Sequence, residues 1–426
     1  KGLGGIRTFF EELDKGATTS TVLKVVLAGD AMAGKTSLRN AVAGRPNPRQ
    51  AEKDRTIHLD IEVVPIDEDL VLNIYDCGGQ QEYLPGQLPY ITRHALFVLM
   101  VEAPCAKDQF FEKSLERFLV LLQARAPGAV VLPVVSKVDD ADAAGPLCEW
   151  FDGAAGKWFE KKLREAKSHG HEVKALHVEP ALAVSVDRPE SVQLLRDAIS
   201  NVAKQSGLFP SVGQRIPLSY QDVLKTFGAV AERGANELAL QALCDDAAKV
   251  LGETTAFSPH GAYRPYDELM ALWGRFCETR EDRRIANPVR VFVDATALWD
   301  AQGLVLIDGG LVVLQPSFVT EIIRPLVDHR LKNQVESGEI VEDAVTFVRE
   351  SPELRDADVD NLYDELQGFV ENGEIKSRLL LMFLWRRIVG LAREHLSQII
   401  EMLAASGVIL MLRREHGENR DVIAVA

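Results

Sequence analysis

The chain has 426 residues, a formal charge of -15, and 46% hydrophobic against 26% charged residues. That length exceeds what one hydrophobic core usually supports and predicts two or three globular domains. The acidity argues against nucleic acid or an anionic membrane surface as the main partner. No apolar run is long enough to cross a bilayer, and the Lys1-Gly2-Leu3-Gly4-Gly5 start is unlike a signal peptide, so a cytoplasmic protein without an integral membrane segment is expected. An odd five cysteines without a CxxC pair suggest neither a disulfide framework nor a zinc site. The missing initiator Met predicts a fragment of a longer polypeptide.

Ile6 to Leu13 reads as a short helix stopped by Asp14-Lys15-Gly16, within an entry linker over 1–20. Val22 to Ala28 is a strand-like apolar run, and Leu38 to Val42 opens a helix. Between them stands Gly29-Asp30-Ala31-Met32-Ala33-Gly34-Lys35-Thr36-Ser37, a GxxxxGKT loop. In that context the two glycines turn the backbone so that its N–H groups surround phosphate oxygens. Lys35 then reaches the terminal phosphates as a point charge, and the Thr36 hydroxyl completes the coordination of Mg2+. The bland alternative is a glycine-rich turn that binds nothing.

Gly44 to Thr56, with Pro46 and Pro48 and no apolar period, is expected to be a long surface loop suited to a nucleotide switch. Leu59 to Pro65 and Leu70 to Tyr75 flank Asp67-Glu68-Asp69 as an antiparallel hairpin, which delivers Asp76-Cys77-Gly78-Gly79 at its end. There a carboxylate can hold a Mg2+ water, while the Gly79 N–H is free to approach a γ-phosphate.

Ala95 to Glu102 and Val130 to Ser136 are continuous apolar runs of the kind found in parallel strands buried on both faces. Leu115, Phe118, Leu119 and Leu122 mark a crossover helix between them. Ser136-Lys137-Val138-Asp139 closes the second run and resembles the NKxD guanine-specificity element of GTPases, which implies that Asp139 accepts from the guanine N1 and exocyclic amine while the Lys137 stem covers the base. An ordinary charged loop is the alternative there. A charged helix over Leu147 to Lys167 precedes His169-Gly170-His171, which lacks a third metal ligand and reads as exposed loop. Ala181 to Val186 is a last strand, followed by a helix with Val192, Leu195, Ile199 and Val202 inward.

From Gly207 the pattern becomes mainly helical, after a Pro/Gly linker at Leu208 to Gly213. Tyr220 to Val230 and Asn236 to Leu251 are expected helices. Leu304 to Leu314 around Asp308-Gly309-Gly310 reads as a hairpin, and Val408 to Leu412 with Val422 to Val425 as another. Helix followed by hairpin, seen twice, suggests winged-helix-like units. Arg386, Arg387, Arg413 and Arg414 hint at DNA, but the net acidity favours protein docking.

The motifs stand in the order of a Ras-like GTPase: Gly29 to Thr36, Thr56, Asp76 to Gly79, Ser136 to Asp139, and Ser185-Val186-Asp187. That resemblance implies an α/β P-loop fold with a mostly parallel sheet. It also implies Thr56 meeting Mg2+ and the γ-phosphate, Gln80 orienting the attacking water, and the Ser185-Val186 backbone contacting the guanine O6. The GDxxxGKTSL and DxGGQxxY forms extend it to the Roc and COR tandem of Roco proteins. So do Ala297-Leu298-Trp299 and the Val313-Leu314-Gln315-Pro316-Ser317-Phe318 stretch running to His329.

By this resemblance, 21–207 is a Roc GTPase domain and 208–426 the N-terminal half of a COR domain, with the dimerising half beyond Ala426. Leucine-rich repeats are implied upstream and a kinase or other effector downstream. The implied function is a Mg2+-dependent GTP/GDP switch of intracellular signalling with slow hydrolysis, in which COR couples nucleotide state to protein partners or a homodimer. Lys35, Thr56 and Gln80 serve the reaction, and Thr36, Thr56 and Asp76 the metal. The rivals are a nucleotide-binding scaffold without hydrolysis and an ATP-dependent switch with winged-helix units. The sequence departs from the family pattern at Ala31 and Met32, where glycines are common, at His58, and at Ser136 in place of Asn. Arg55 is either a cis arginine finger or a solvated loop residue.

Overall fold

Runs of consecutive apolar residues become the central strands of a seven-stranded sheet. The computed structural model describes residues 3–46, 49, 59–79, 87–103, 116–168, 174–233, 261–279, 284–308, 310–328, 330–355, 357–388, 391–412 and 422–425. In chain order, α1 (Leu3–Lys15) and β1 (Ala17–Thr19) precede β2 (Val22–Gly29) and α2 (Lys35–Val42). The hairpin of β3 (Leu59–Asp67) and β4 (Leu70–Cys77) leads to β5 (Leu96–Glu102), α3 (Glu116–Arg125), β6 (Val130–Ser136) and α4 (Ala144–Ser168). Then come β7 (His177–Val178), β8 (Leu182–Val184), α5 (Pro189–Ala203), β9 (Arg215–Pro217) and α6 (Leu218–Arg233).

The sheet order is β3-β4-β2-β5-β6-β7, with β8 also pairing β6. The β3–β4 pair is antiparallel and the other pairings are parallel. Strands β5 and β6 are buried along almost their whole length because helices cover both faces. Edge strand β3 alternates in exposure and tolerates Pro65, where its register shifts. One core joins Leu23, Val25 and Leu27 of β2 to Leu195, Ile199 and Val202 of α5. Because β2 lies between β4 and β5, its carboxyl end opens at the point where the chain direction of the connections reverses, a place where α/β sheets hold ligands.

Further along are β10 (Tyr263–Pro265), α7 (Tyr266–Thr279), α8 (Pro288–Ala301), β11 (Leu306–Asp308) and β12 (Leu311–Val313). The remaining helices are α9 (Ser317–Ile323), α10 (Arg330–Glu336), α11 (Glu339–Glu350) and α12 (Ala357–Asn372). Last come β13 (Glu374–Ile375), α13 (Arg378–Leu384), α14 (Leu396–Ala405), β14 (Ile409–Leu412) and β15 (Val422–Val425). The chain divides into two compact units, Lys1–Val223 with Arg283–Leu304, and Leu224–Asp282 with Val305–Ala426.

The first unit therefore includes α8, which begins with Asn287 accepting from the Arg290 N–H at 3.0 Å and Pro288 in its first turn. Buried Glu12 of α1 accepts from the Ala286 N–H at 3.0 Å, and Trp299 donates through Nε1 to the Tyr220 carbonyl at 3.2 Å. At the end of α8, the Gly303 carbonyl accepts from Asn73 Nδ2 at 2.8 Å and from the Tyr75 hydroxyl. Two segments read from sequence as linkers are structured: β1 pairs antiparallel with β9, and Phe209 is buried in the main core. Short pairings and single anchors of this kind have no periodicity to reveal them.

The second unit carries two three-stranded sheets of the same kind, β10-β12-β11 and β13-β15-β14, all antiparallel. In chain order the second is strand, helix, helix, hairpin, with the last strand in the middle, the order of a winged helix; the first has the same strand order, while α8, which precedes its hairpin in sequence, belongs to the first unit. Tyr263 stacks on Phe318 at 5.1 Å between centroids, and its hydroxyl accepts from the Ala392 N–H at 2.9 Å. The fold class is thus α/β with a Ras-like mostly parallel sheet, followed by mainly helical, winged-helix-like elements. Residues 236–251, Gly309, Arg413 and Arg414, on which sequence expectations were placed, lie outside the described residues. No helix among the described residues is long and apolar enough to cross a membrane.

Candidate functional site

The loop between β2 and α2 is tightly constrained. Gly29 has φ +144°, and a Cβ there would run into the Met100 carbonyl of β5; Gly34 caps α2 at φ 87°. Both conformations are open to glycine and strained for other residues. Met32 nonetheless adopts φ 67°, a left-handed conformation that is unusual for a non-glycine residue. Lys35, 7% exposed, turns back across the loop and donates to the Gly29 carbonyl at 2.9 Å and the Asp30 carbonyl at 2.7 Å. Burial pushes its pKa down, opposed chiefly by Asp76, so the site holds a cation poorly compensated by water.

Strand β4 delivers Asp76 beside it. Its carboxylate is fully buried, and neither oxygen has a hydrogen bond of good geometry. Burial raises its pKa, while the Thr36 hydroxyl and then Arg39 and Lys35 pull it down. Arg39 of α2, itself 4% exposed, stands 3.6 Å from Asp76 and is held by Asp60 and Glu62 of β3. A buried carboxylate short of partners, next to a threonine hydroxyl, is the donor set a hard divalent cation takes. Three residues after Asp76, Gly79 is so close to the loop that a Cβ would lie 2.5 Å from the Ala31 nitrogen and from Lys35 Nζ.

At the other end of the same depression, Ser136 donates from Oγ to the Ala33 carbonyl at 2.7 Å, tying β6 to the phosphate loop. Lys137 adopts φ 61°, with Nζ 2.8 Å from Glu102. Asp139 Oδ1 accepts from the Ser185 hydroxyl at 2.6 Å. Ser185 is oriented in turn by its own N–H donating to Ser191 Oγ at 3.0 Å. Asp187 pairs with Arg49 at the rim.

These elements enclose a cavity of about 400 Å3. Of the residues predicted from sequence, Ala31, Met32, Gly34, Lys35, Thr36, Ser37, Gly79, Ser136, Lys137, Asp139, Ser185 and Val186 line it. Gly29, Asp30, Ala33 and Asp76 stand one layer behind, attached through Lys35, Ser136 and Thr36. Thr56 and Gln80, like Arg55, His58, His169 and His171, lie outside the described residues. Sequence reasoning missed Arg39, Arg49 and Arg117; only Arg39 left a signal, sitting one helical turn after Lys35 in α2.

The family model for "Ras of Complex, Roc, domain of DAPkinase" matches residues 24–139. The structure of Methanosarcina barkeri Roco2 RocCORdC bound to GDP superposes with a TM-score of 0.57 at 13% identity, covering 96% of both chains. The chain has a Roco-like fold, Roc followed by COR. The human protein "Malignant fibrous histiocytoma-amplified sequence 1" is 27% identical over 257 residues, covering 47% of this chain. "GTP-binding protein gtr1" of Schizosaccharomyces pombe is 31% identical over 124 residues, covering 27% of this chain. The chain spans only part of these relatives, 24% and 40% of their lengths. The cavity lies at the GxxxxGKT loop, inside the stretch that the Roc family model matches, in a sheet with the Ras-like GTPase fold.

Proposed function

We propose that the chain is a cytoplasmic guanine-nucleotide switch that hydrolyses GTP slowly to GDP and phosphate. In this reading Roc occupies 21–207 and the N-terminal part of COR 208–426, coupling nucleotide state to protein partners or a dimer in signalling. The observation that carries it is that Lys35 and Asp139, a phosphate cation and a base-reading carboxylate, line one cavity of nucleotide size. The GDP bound to the Roco2 structure and the name of the fission-yeast relative agree with it.

Phosphates sit on the loop amides and Lys35, with Gly79 approaching the γ-phosphate. Ser136 braces the loop against the base end, and Asp139 accepts from the guanine N1 and amine while the Val186 backbone meets O6. Thr36, Asp76 and Thr56 are the residues that would hold Mg2+, which would supply neutralisation of phosphate charge when bound. Gln80 orients the attacking water. Catalysis of this kind is positioning and charge stabilisation, so a domain without an arginine finger is slow.

Lys35→Ala tests the assignment: GDP binding to the purified chain should be lost, and unchanged GDP affinity overturns it. Competition by ATP separates the adenine alternative, since Asp139 discriminates the bases, and single-turnover phosphate release separates a switch that hydrolyses from a scaffold that does not.

A further inference from the structure

The second residue of the phosphate loop is an acid, Asp30, which stands one layer behind the cavity lining. Asp30 presents its carbonyl to Lys35 Nζ at 2.7 Å, and its carboxylate is near enough to act by its charge on Lys35, the cation that meets the phosphates in the proposed reading. An uncompensated carboxylate there would repel the ligand, and each further phosphate charge would increase the penalty. The Asp30 side chain, 29% exposed, is ion-paired with Arg117 of α3, 24% exposed. Arg117 lies over the Phe118 ring, its carbon 4.9 Å from the centroid, and its buried Nε makes no hydrogen bond. The neighbouring acid on α3, Glu116, is engaged by Trp158 Nε1 at 2.9 Å and by Lys162 at 3.8 Å. Asp30 is therefore the carboxylate that Arg117 serves, and the two lie 87 residues apart in the chain.

We infer that Arg117 is a positioning residue of the phosphate loop, whose guanidinium neutralises Asp30 so that the loop accepts the more highly charged triphosphate. The inference rests on the nucleotide-site reading and adds a determinant of preference between triphosphate and diphosphate. The chemistry is simple charge balance. With the pair closed, the loop presents Lys35 and its amides; with the pair opened, one unit of negative charge returns beside the phosphates. A triphosphate, carrying about one more negative charge than a diphosphate, suffers more from that return. Because Arg117 sits in the first described turn of α3, a shift of this helix translates into nucleotide preference with no direct contact to the ligand.

The test is calorimetric titration of the full chain with GDP and with the non-hydrolysable triphosphate GppNHp. Arg117→Ala should weaken GppNHp by about tenfold and GDP by about threefold, the magnitude expected when one partner of a close, partly buried charge pair is removed. The double variant Arg117→Ala with Asp30→Asn should recover both affinities, since no carboxylate is left to neutralise, and Arg117→Lys should recover the ratio between the two ligands. Equal weakening of both ligands, or no recovery in the double variant, would mean that Arg117 only packs, and overturns the inference. Should Arg117→Ala fail to fold, Asp30→Asn alone decides: it should raise the GppNHp-to-GDP affinity ratio, and an unchanged ratio overturns the proposal. A wild-type chain that binds neither nucleotide defeats the nucleotide-site reading itself, and the charge-balance inference with it.

Discussion

The Ser185 hydroxyl donates to Oδ1 of Asp139 at 2.6 Å, and the Ser185 N–H donates to Ser191 Oγ at 3.0 Å. One carboxylate oxygen of Asp139 is thus claimed by the protein, which fixes the rotation of the group. In the proposed reading its other oxygen is the one that meets the guanine. Such second partners hold a recognition group in one orientation before the ligand arrives. Ser185→Ala should reduce GDP affinity about tenfold, near the value of a hydrogen bond to a charged acceptor, and leave the weak binding of inorganic pyrophosphate unchanged. Calorimetry with the two ligands checks both halves, and a parallel loss of pyrophosphate binding would point to a collapsed site instead.

Gly79 approaches the phosphate loop too closely for any side chain, with Ala31 N and Lys35 Nζ 2.5 Å from where a Cβ would stand. Backbone has no rotamer with which to yield, so Gly79→Ala must displace either its own strand exit or the loop. The expected result is a stability loss of about 1–3 kcal/mol together with loss of the thermal shift that GDP confers on the wild type. Melting curves with and without nucleotide read out both effects.

Asp76 is buried without a well-formed hydrogen bond and has Thr36 and Arg39 near it. If this carboxylate serves Mg2+, wild-type GDP affinity falls on adding EDTA, by about tenfold or more as found when an outer partner of a metal site is lost. Asp76→Asn should show weaker GDP binding in Mg2+ and little further change with EDTA. Persistence of the full EDTA effect in the variant would assign the metal elsewhere.

Lys24 on β2 is 2% exposed, with Nζ 3.3 Å from Thr92 Oγ1 and 4.8 Å from the centre of the Tyr75 ring. Burial lowers its pKa from 10.5 to about 8, against the opposing pull of Asp300 and Cys77. The unfolded chain therefore binds more protons than the folded chain between about pH 8 and the unfolded value, and stability rises with pH across that window. The penalty is fully present below pH 8 and amounts to about 3 kcal/mol. Lys24→Met should remove this rising component. Denaturant unfolding of both proteins at pH 7.5 and 10 measures the difference, which also cancels the contributions of Tyr75 and Cys77, whose pKa values burial raises. A slope unchanged by the substitution would place its source in another group.

Much of the site is legible in the sequence because its chemistry is local. Nine consecutive residues, Gly29 to Ser37, carry the turns, the cation and the hydroxyl, and β4 and β6 end on Asp76 and on Ser136 to Asp139. Apolar runs also announce the buried strands, since a parallel sheet covered on both faces needs no alternation. Ser136 in place of Asn was a departure without an explanation until its hydroxyl met the Ala33 carbonyl.

What the sequence determined by itself is the set of chemical groups and their order: a GxxxxGKT loop, a carboxylate at the end of β4, an aspartate after β6, and a helical region after them. The tertiary structure decided which distant groups stand together, and it brought Arg117 to Asp30, Arg39 to Asp76 and the end of α8 to Asn73 and Tyr75. The physical reason is that motifs are written in covalent neighbours and helical or strand periods, whereas charge pairing and burial depend on distances that only the packing of the sheet and its helices sets.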